Sequence, residues 1–133
     1  MPSIEPHGWK RGRGFSHGMI APGRGHLMVT AGQVGWDPAT EQFDSDDFAR
    51  QTERALQNVV DVLAAARARP EHLVRLTWYV TNRSEYVAAR AAIGESYRRI
   101  MGPHYPAMSV VIVSELLEPR AKVEIEATAV VPE

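Results

Sequence analysis

The chain contains no cysteine, so it has neither disulfides nor thiolate chemistry, and nothing ties it to an oxidising or a reducing compartment. It also lacks an excess of charge of either sign: 15 Lys and Arg stand against 16 Asp and Glu, a net charge of −1. That balance offers no global attraction to nucleic acid or to an anionic membrane. No apolar run approaches the roughly 20 residues of a membrane span. Met1 to Lys10 carries charge, Pro and Gly without the apolar stretch of a secretory signal. The five histidines, His7, His17, His26, His72 and His104, are scattered, and no pair has metal-ligand spacing. Gly12, Gly14 and Gly18 do not open a helix, so a phosphate-cradling loop is missing, and no Ser/His/Asp order can be argued. Lys10-Arg11-Gly12-Arg13 is a small basic cluster that reads as a solvated segment. These absences leave a soluble cytoplasmic protein with no metal and no cofactor, no membrane partner and no nucleic-acid partner, as the expectation.

A length of 133 residues fits one domain with one core, residues 1–133. Residues 1–13, rich in Pro, Gly and charge, read as a loosely held arm. Phe15 to Ile20 and His26 to Ala31 suit two short strands, with a turn at Pro22-Gly23-Arg24-Gly25. After a loop from Gly32 to Asp44, Asp44 or Ser45 can cap a helix whose stripe is Leu56, Val59, Val60 and Leu63, ending by Pro70. Leu73 to Thr81 is a strand. Ser84 can cap a second helix to about Met101, with Tyr86, Ile93, Tyr97 and Ile100 on one face, stopped by Gly102-Pro103. Met108 to Val113 and Lys122 to Val131 are the last two strands, around a turn at Glu118-Pro119-Arg120. The order is ββαβαββ, an α+β subunit.

Two helices can cover one face of a small sheet. Yet Val110-Val111-Ile112-Val113 is apolar on both faces. In the strand from Leu73, one face carries Val74, Leu76, Trp78 and Val80, while the other still carries Leu73 and Tyr79. A sheet with one wet face should be polar there. The chain has no third helix for that face, so another subunit is the economical cover.

The segment Tyr105-Pro106-Ala107-Met108-Ser109-Val110-Val111, followed by Lys122-Val123-Glu124-Ile125-Glu126-Ala127, resembles the C-terminal signature of the Rid family, the small trimeric enamine/imine deaminases also called YjgF or L-PSP proteins. Gly14-Phe15-Ser16-His17, Thr30-Ala31-Gly32-Gln33-Val34-Gly35, Gln51-Thr52 through Asn58-Val59, and Leu76 to Thr81 are similar to further segments of that family, in the same order. The resemblance covers about Gly14 to Val131. It implies a chorismate-mutase-like subunit, a mixed sheet with two helices on one face, and a homotrimer with small-molecule pockets at subunit junctions.

In the active members of that family an arginine after Pro-Ala grips the substrate carboxylate, because a guanidinium fork meets both oxygens with charge-assisted hydrogen bonds. A carboxylate then orients the water that attacks the imine carbon. Carried over by resemblance, the catalytic carboxylate falls on Glu124 and the arginine on Met108, which cannot form a charged fork. The first-strand tyrosine falls on Phe15, the serine before Gly-Gln on Ala31 (beside Gly32), and the helix asparagine on Arg90. Tyr105 could rim the site. The candidate set is therefore Glu124 as catalyst, with Phe15, Ala31, Gly32, Arg90, Tyr105 and Met108 binding substrate. Each has an ordinary reading beside it. Glu124 also fits a solvated strand face with Lys122, Glu126 and Thr128, Arg90 a wet helix arginine, and Phe15, Met108 and Trp36 a core or interface.

The resemblance thus implies enamine or imine hydrolysis on something other than small 2-imino acids, for which an aminomuconate-like intermediate would suit a roomier apolar pocket. The alternative is a trimer that binds a small organic ligand without turnover. RNA cleavage, ascribed to some relatives, is disfavoured by the charge balance and by the absence of interleaved aromatic and basic residues.

Overall fold

Helix α1 (Phe48–Ala65) is the element on which the core is assembled. Phe48, Thr52, Ala55, Leu56, Val59 and Leu63 recur at three- and four-residue steps and are all buried. Its N-cap is Asp47, whose carboxylate accepts from the Arg50 amide at 3.0 Å, while Ser45 Oγ accepts from the Asp47 amide. The expected caps, Asp44 and Ser45, lie two or three residues early, because Asp47 is the last residue in extended conformation. In this computed structural model, which describes residues 1–133, α1 lies against a mixed sheet.

That sheet contains β3 (His26–Val29), β4 (Gln33–Val34), β5 (Leu73–Val80), β6 (Ala107–Ile112) and β7 (Val123–Val131), in the order β3-β7-β5-β6 with β4 also on β7. Only β5 and β6 run parallel, joined by the crossover α2 (Arg83–Ala88) and α3 (Arg90–Met101). The α+β class, the mixed sheet and helices on one face are as the sequence implies.

Four details depart from expectation. The strand expected over Phe15–Ile20 shrinks to β2 (Gly18–Met19), which pairs with β1 (Ser3–Ile4) and not with the main sheet. The residues expected to form a loose arm thereby supply one strand of a small ribbon. Ser16 alone touches the main sheet, through a bridge to Ala107 and a 2.6 Å hydrogen bond from its hydroxyl to the Tyr105 carbonyl. The second helix is divided at Ala89, and its cap is Asn82, which accepts from the Glu85 amide, in place of Ser84. Leu73 is fully buried with Leu76: the register shifts between Leu73 and Arg75, and this bulge turns Leu73 towards the helices. The open face of β5 therefore carries Arg75, Thr77 and Tyr79, and is more polar than the alternation alone suggests.

Two polar side chains tie α1 to the sheet. Gln51 donates to the carbonyls of Ser45 and Arg120 and accepts from the Lys122 amide, each at 2.9–3.0 Å. Asn58 donates to the carbonyls of Val34 and Trp36. Gly35 makes the approach possible, since a Cβ there would run into the α1 backbone at Gln51. Replacing Gln51 with Ala strands a buried amide and two carbonyls, so Gln51→Ala should cost about 3 kcal/mol in urea unfolding. Gln57→Ala on the exposed side of α1 should cost less than about 0.5 kcal/mol. Equal midpoints for the two variants would refute this account of the clamp.

Candidate functional site

β7 separates the predicted site residues by simple alternation. Val123, Ile125, Ala127 and Ala129 are buried beneath the helices, which leaves Glu124, Glu126 and Thr128 on the open face. Pairing carries this alternation across the sheet: Ile125 opposes Trp78 and Glu124 opposes Tyr79, while Met108 opposes Leu76 and Val110 opposes Trp78. Met108 therefore points to the helix side and Glu124 to the other. Within one chain, therefore, the two groups lie on opposite faces of the sheet.

On the helix side, a cavity of about 860 Å³ lies between α2–α3 and the strands β5 and β6. Phe15, Arg90, Tyr105 and Met108 all line it, so four of the predicted residues are brought together. Tyr105 is fixed by stacking on Tyr97, with centroids 5.1 Å apart and planes at 15°. Tyr97 in turn donates to the His104 carbonyl at 2.7 Å, and burial pushes its hydroxyl pKa well above the ordinary tyrosine value. The ring of Phe15 meets His17 edge-on, and His17 contacts the Lys10 carbonyl, so the histidine braces the entry segment rather than facing the cavity. The guanidinium of Arg90 lies 5.7 Å from the Tyr86 ring centroid. Trp36 is absent from the lining; it packs on Phe43 and offers its carbonyl to Asn58 and Arg54.

Ala31, Gly32 and Glu124 form a second group, on the open face. The β3 ladder breaks at Thr30, whose amide donates to the Ala127 carbonyl and whose hydroxyl accepts from the Ala127 amide, before β4 resumes the pairing. The break swings Gly32 against Glu124: a Cβ built at Gly32 would sit 2.5 Å from the glutamate Oε2. Any side chain at position 32 would have to push this carboxylate aside. Neighbouring Glu126 accepts from the Tyr79 hydroxyl at 2.8 Å, and this bond, with burial and the two carboxylates, raises the Tyr79 pKa. The face as a whole is polar at its centre, but Leu27 and Val29 are 74% and 68% exposed at its rim.

Arg13, Arg83 and Arg98 also line the cavity; Arg13 belongs to the basic cluster read from sequence as a solvated segment, and the other two carried no reading. A signal existed: Arg83, Val87, Arg90, Gly94 and Arg98 follow helical steps of three and four on α2–α3. That pattern on its own is indistinguishable from a wet helix face.

Residues 11–131 match the family described as Endoribonuclease L-PSP. The chain is 37% identical over 107 residues to the protein DfrA of Myxococcus xanthus, covering 80% of this chain and 77% of that one. It is 30% identical over 109 residues to the 2-iminobutanoate/2-iminopropanoate deaminase of Escherichia coli, covering 80% of each. The crystal structure of YyfB from Yersinia pestis, a protein of the conserved Rid family, superposes with a TM-score of 0.85 at 34% identity, covering 98% of both chains. Fold, motif order and sequence agree, and the chain belongs to the Rid (L-PSP) family.

Proposed function

We propose that this protein binds a small organic ligand in the cavity lined by Phe15, Arg90, Tyr105 and Met108 and hydrolyses its enamine or imine C–N bond. The observation that carries the proposal is that convergence: four predicted residues, from three parts of the chain, line one cavity. The deaminase name of the Escherichia coli relative supports the reaction class.

The chemistry needs a carboxylate beside the imine carbon. Water adds to the C=N carbon as the carboxylate takes its proton and passes it to nitrogen, giving a carbinolamine; the carboxylate then moves the hydroxyl proton to nitrogen as the C–N bond breaks, and a carbonyl and ammonia leave. Glu124 is the candidate, and it lies on the other face of its own sheet. It reaches a cavity only across a boundary between copies. The working unit is then a homotrimer, each pocket formed by the helix-side cavity of one copy with Glu124 and the Ala31-Gly32 backbone of the next. The apolar edge strand β6, with Val110, Val111 and Ile112 exposed in a single chain, supports such a boundary. Light scattering after size exclusion should give the mass of three 14.8 kDa chains; a monomer at micromolar concentration would sink the shared pocket.

Met108 offers a flexible apolar wall where a guanidinium fork would hold a small 2-imino acid. Ammonia release from 2-iminobutanoate generated in situ should therefore be slow. Met108→Arg should raise it at least about tenfold, the value of one charged hydrogen-bond pair. Adding Glu124→Gln to that variant should lower the rate by about 100-fold or more, the usual contribution of a positioned general base.

A second reading is ligand binding without turnover. It is favoured by one observation, that no carboxylate lines the cavity of the single chain. Failure of Met108→Arg to gain activity, together with retained ligand binding, decides for that reading.

A further inference from the structure

The cavity is lined by four arginines, Arg13, Arg83, Arg90 and Arg98, and by no acidic side chain. None of the four forms an ion pair. None donates a side-chain hydrogen bond; the arginines that do are Arg54, Arg75, Arg99 and Arg120. The contrast is local. Arg54, Arg69, Arg99 and Arg120 each have a carboxylate within 4.0 Å, in a chain with 16 acidic residues to distribute. Within one chain the acids are withheld from this cavity, and the carboxylate proposed to enter it from the next copy, Glu124, is one against four arginines.

Four exposed guanidiniums gathered about a space of roughly 860 Å³ attract anions, and a ligand with two negative charges can meet more of them than a ligand with one. Between the guanidiniums the wall is flat and apolar, made by Phe15, Trp78, Tyr105 and Met108. Trp78 is 4% exposed, and its indole N–H is buried without an acceptor, which marks a wall short of acceptors as well as of anions. Arg90 leans on Tyr86, which holds its charge at the edge of the cavity.

We propose that the ligand of this cavity is an organic dianion with a planar apolar body, its charges held by Arg90 and the neighbouring guanidiniums and its body lying on Tyr105, Met108 and Trp78. The inference names the ligand class of the site proposed above and rests on that cavity being the binding site. Dicarboxylates and phosphate monoesters share this chemistry.

Calorimetric titration of the intact protein at pH 8 with terephthalate, phenyl phosphate and benzoate tests it, since the three share a ring and differ in charge. Both dianions should bind at least about tenfold more tightly than benzoate, with the advantage shrinking as salt is raised. Arg90→Gln should remove most of the advantage. Arg24→Gln, the same change of charge on an exposed turn outside the cavity, should leave it intact. Preference for terephthalate identifies a dicarboxylate and preference for phenyl phosphate a phosphate ester; either supports the proposal. Benzoate binding within about threefold of both dianions, with affinity lost in Tyr105→Ala, overturns the dianion while leaving the cavity as the ligand site. No binding by any of the three removes the cavity itself and the dianion with it.

Discussion

The pairing of β7 with β3, β4 and β5 decides on which face of the sheet the candidate carboxylate stands. A strand places successive side chains on opposite faces, and the period is strict. Once Val123, Ile125, Ala127 and Ala129 are committed to the core under α1, Glu124 and Glu126 have no choice of side. Slipping the strand by one residue would bury two carboxylates and expose four apolar residues, so the register is held by the whole core. Local bonds reinforce it at both ends: the reciprocal hydrogen bonds between Thr30 and Ala127, and the clamp from Gln51 onto the Lys122 amide.

From that constraint follows the division of the site. The helix side of the sheet offers apolar wall and cationic rim; the open side offers a carboxylate seated against a glycine loop. For the hydrolysis proposed above, the candidate base and the larger cavity stand on opposite faces of one chain. A fold that keeps base and binding wall on opposite faces of one sheet is suited to placing its sites between copies, where each chain presents one half to each neighbour. Edge strand β6 is the natural hinge of such an arrangement. Met108, Val110 and Ile112 face the cavity side while Val111 faces the open side, so a neighbour that covers the edge touches both.

The parts of the fold legible in the sequence are those with long, clean periodicity. The stripe from Leu56 to Leu63 places α1, and the alternation from Val123 to Ala129 places β7 and its buried face. Caps were harder to read, because Asp44, Ser45, Asp46 and Asp47 all have cap chemistry and only the backbone conformation selects Asp47. The bulge at Val74 could not be read at all: one extra residue, with no glycine to mark it, returns Leu73 to the core. The candidate site was proposed through resemblance, residue by residue, and four of its members share a cavity. The face of Glu124 follows from that alternation, but the face of Met108 was not legible, because β6 is apolar on both sides and its face depends on register with a strand far away in sequence. Leu76 opposite Met108 and Tyr79 opposite Glu124 are tertiary facts with no local trace.

The distribution of cations gives the site its character. A single guanidinium fork on a rigid strand selects by geometry: two parallel bonds fit one carboxylate in one orientation. Here the strand position holds Met108, whose thioether adapts its shape to whatever lies against it. The positive charges sit instead on Arg13 in the entry segment and on Arg83, Arg90 and Arg98 along α2–α3, at the ends of long flexible side chains. Several separated point charges around an adaptable wall discriminate weakly by the angle of one carboxylate. They discriminate strongly by total charge and by the distance between charges, because each extra anionic group meets a further unpaired arginine without leaving any buried partner behind. Cations carried on a helix around an apolar wall therefore favour the charge pattern of the whole ligand, where a single strand guanidinium would favour one functional group.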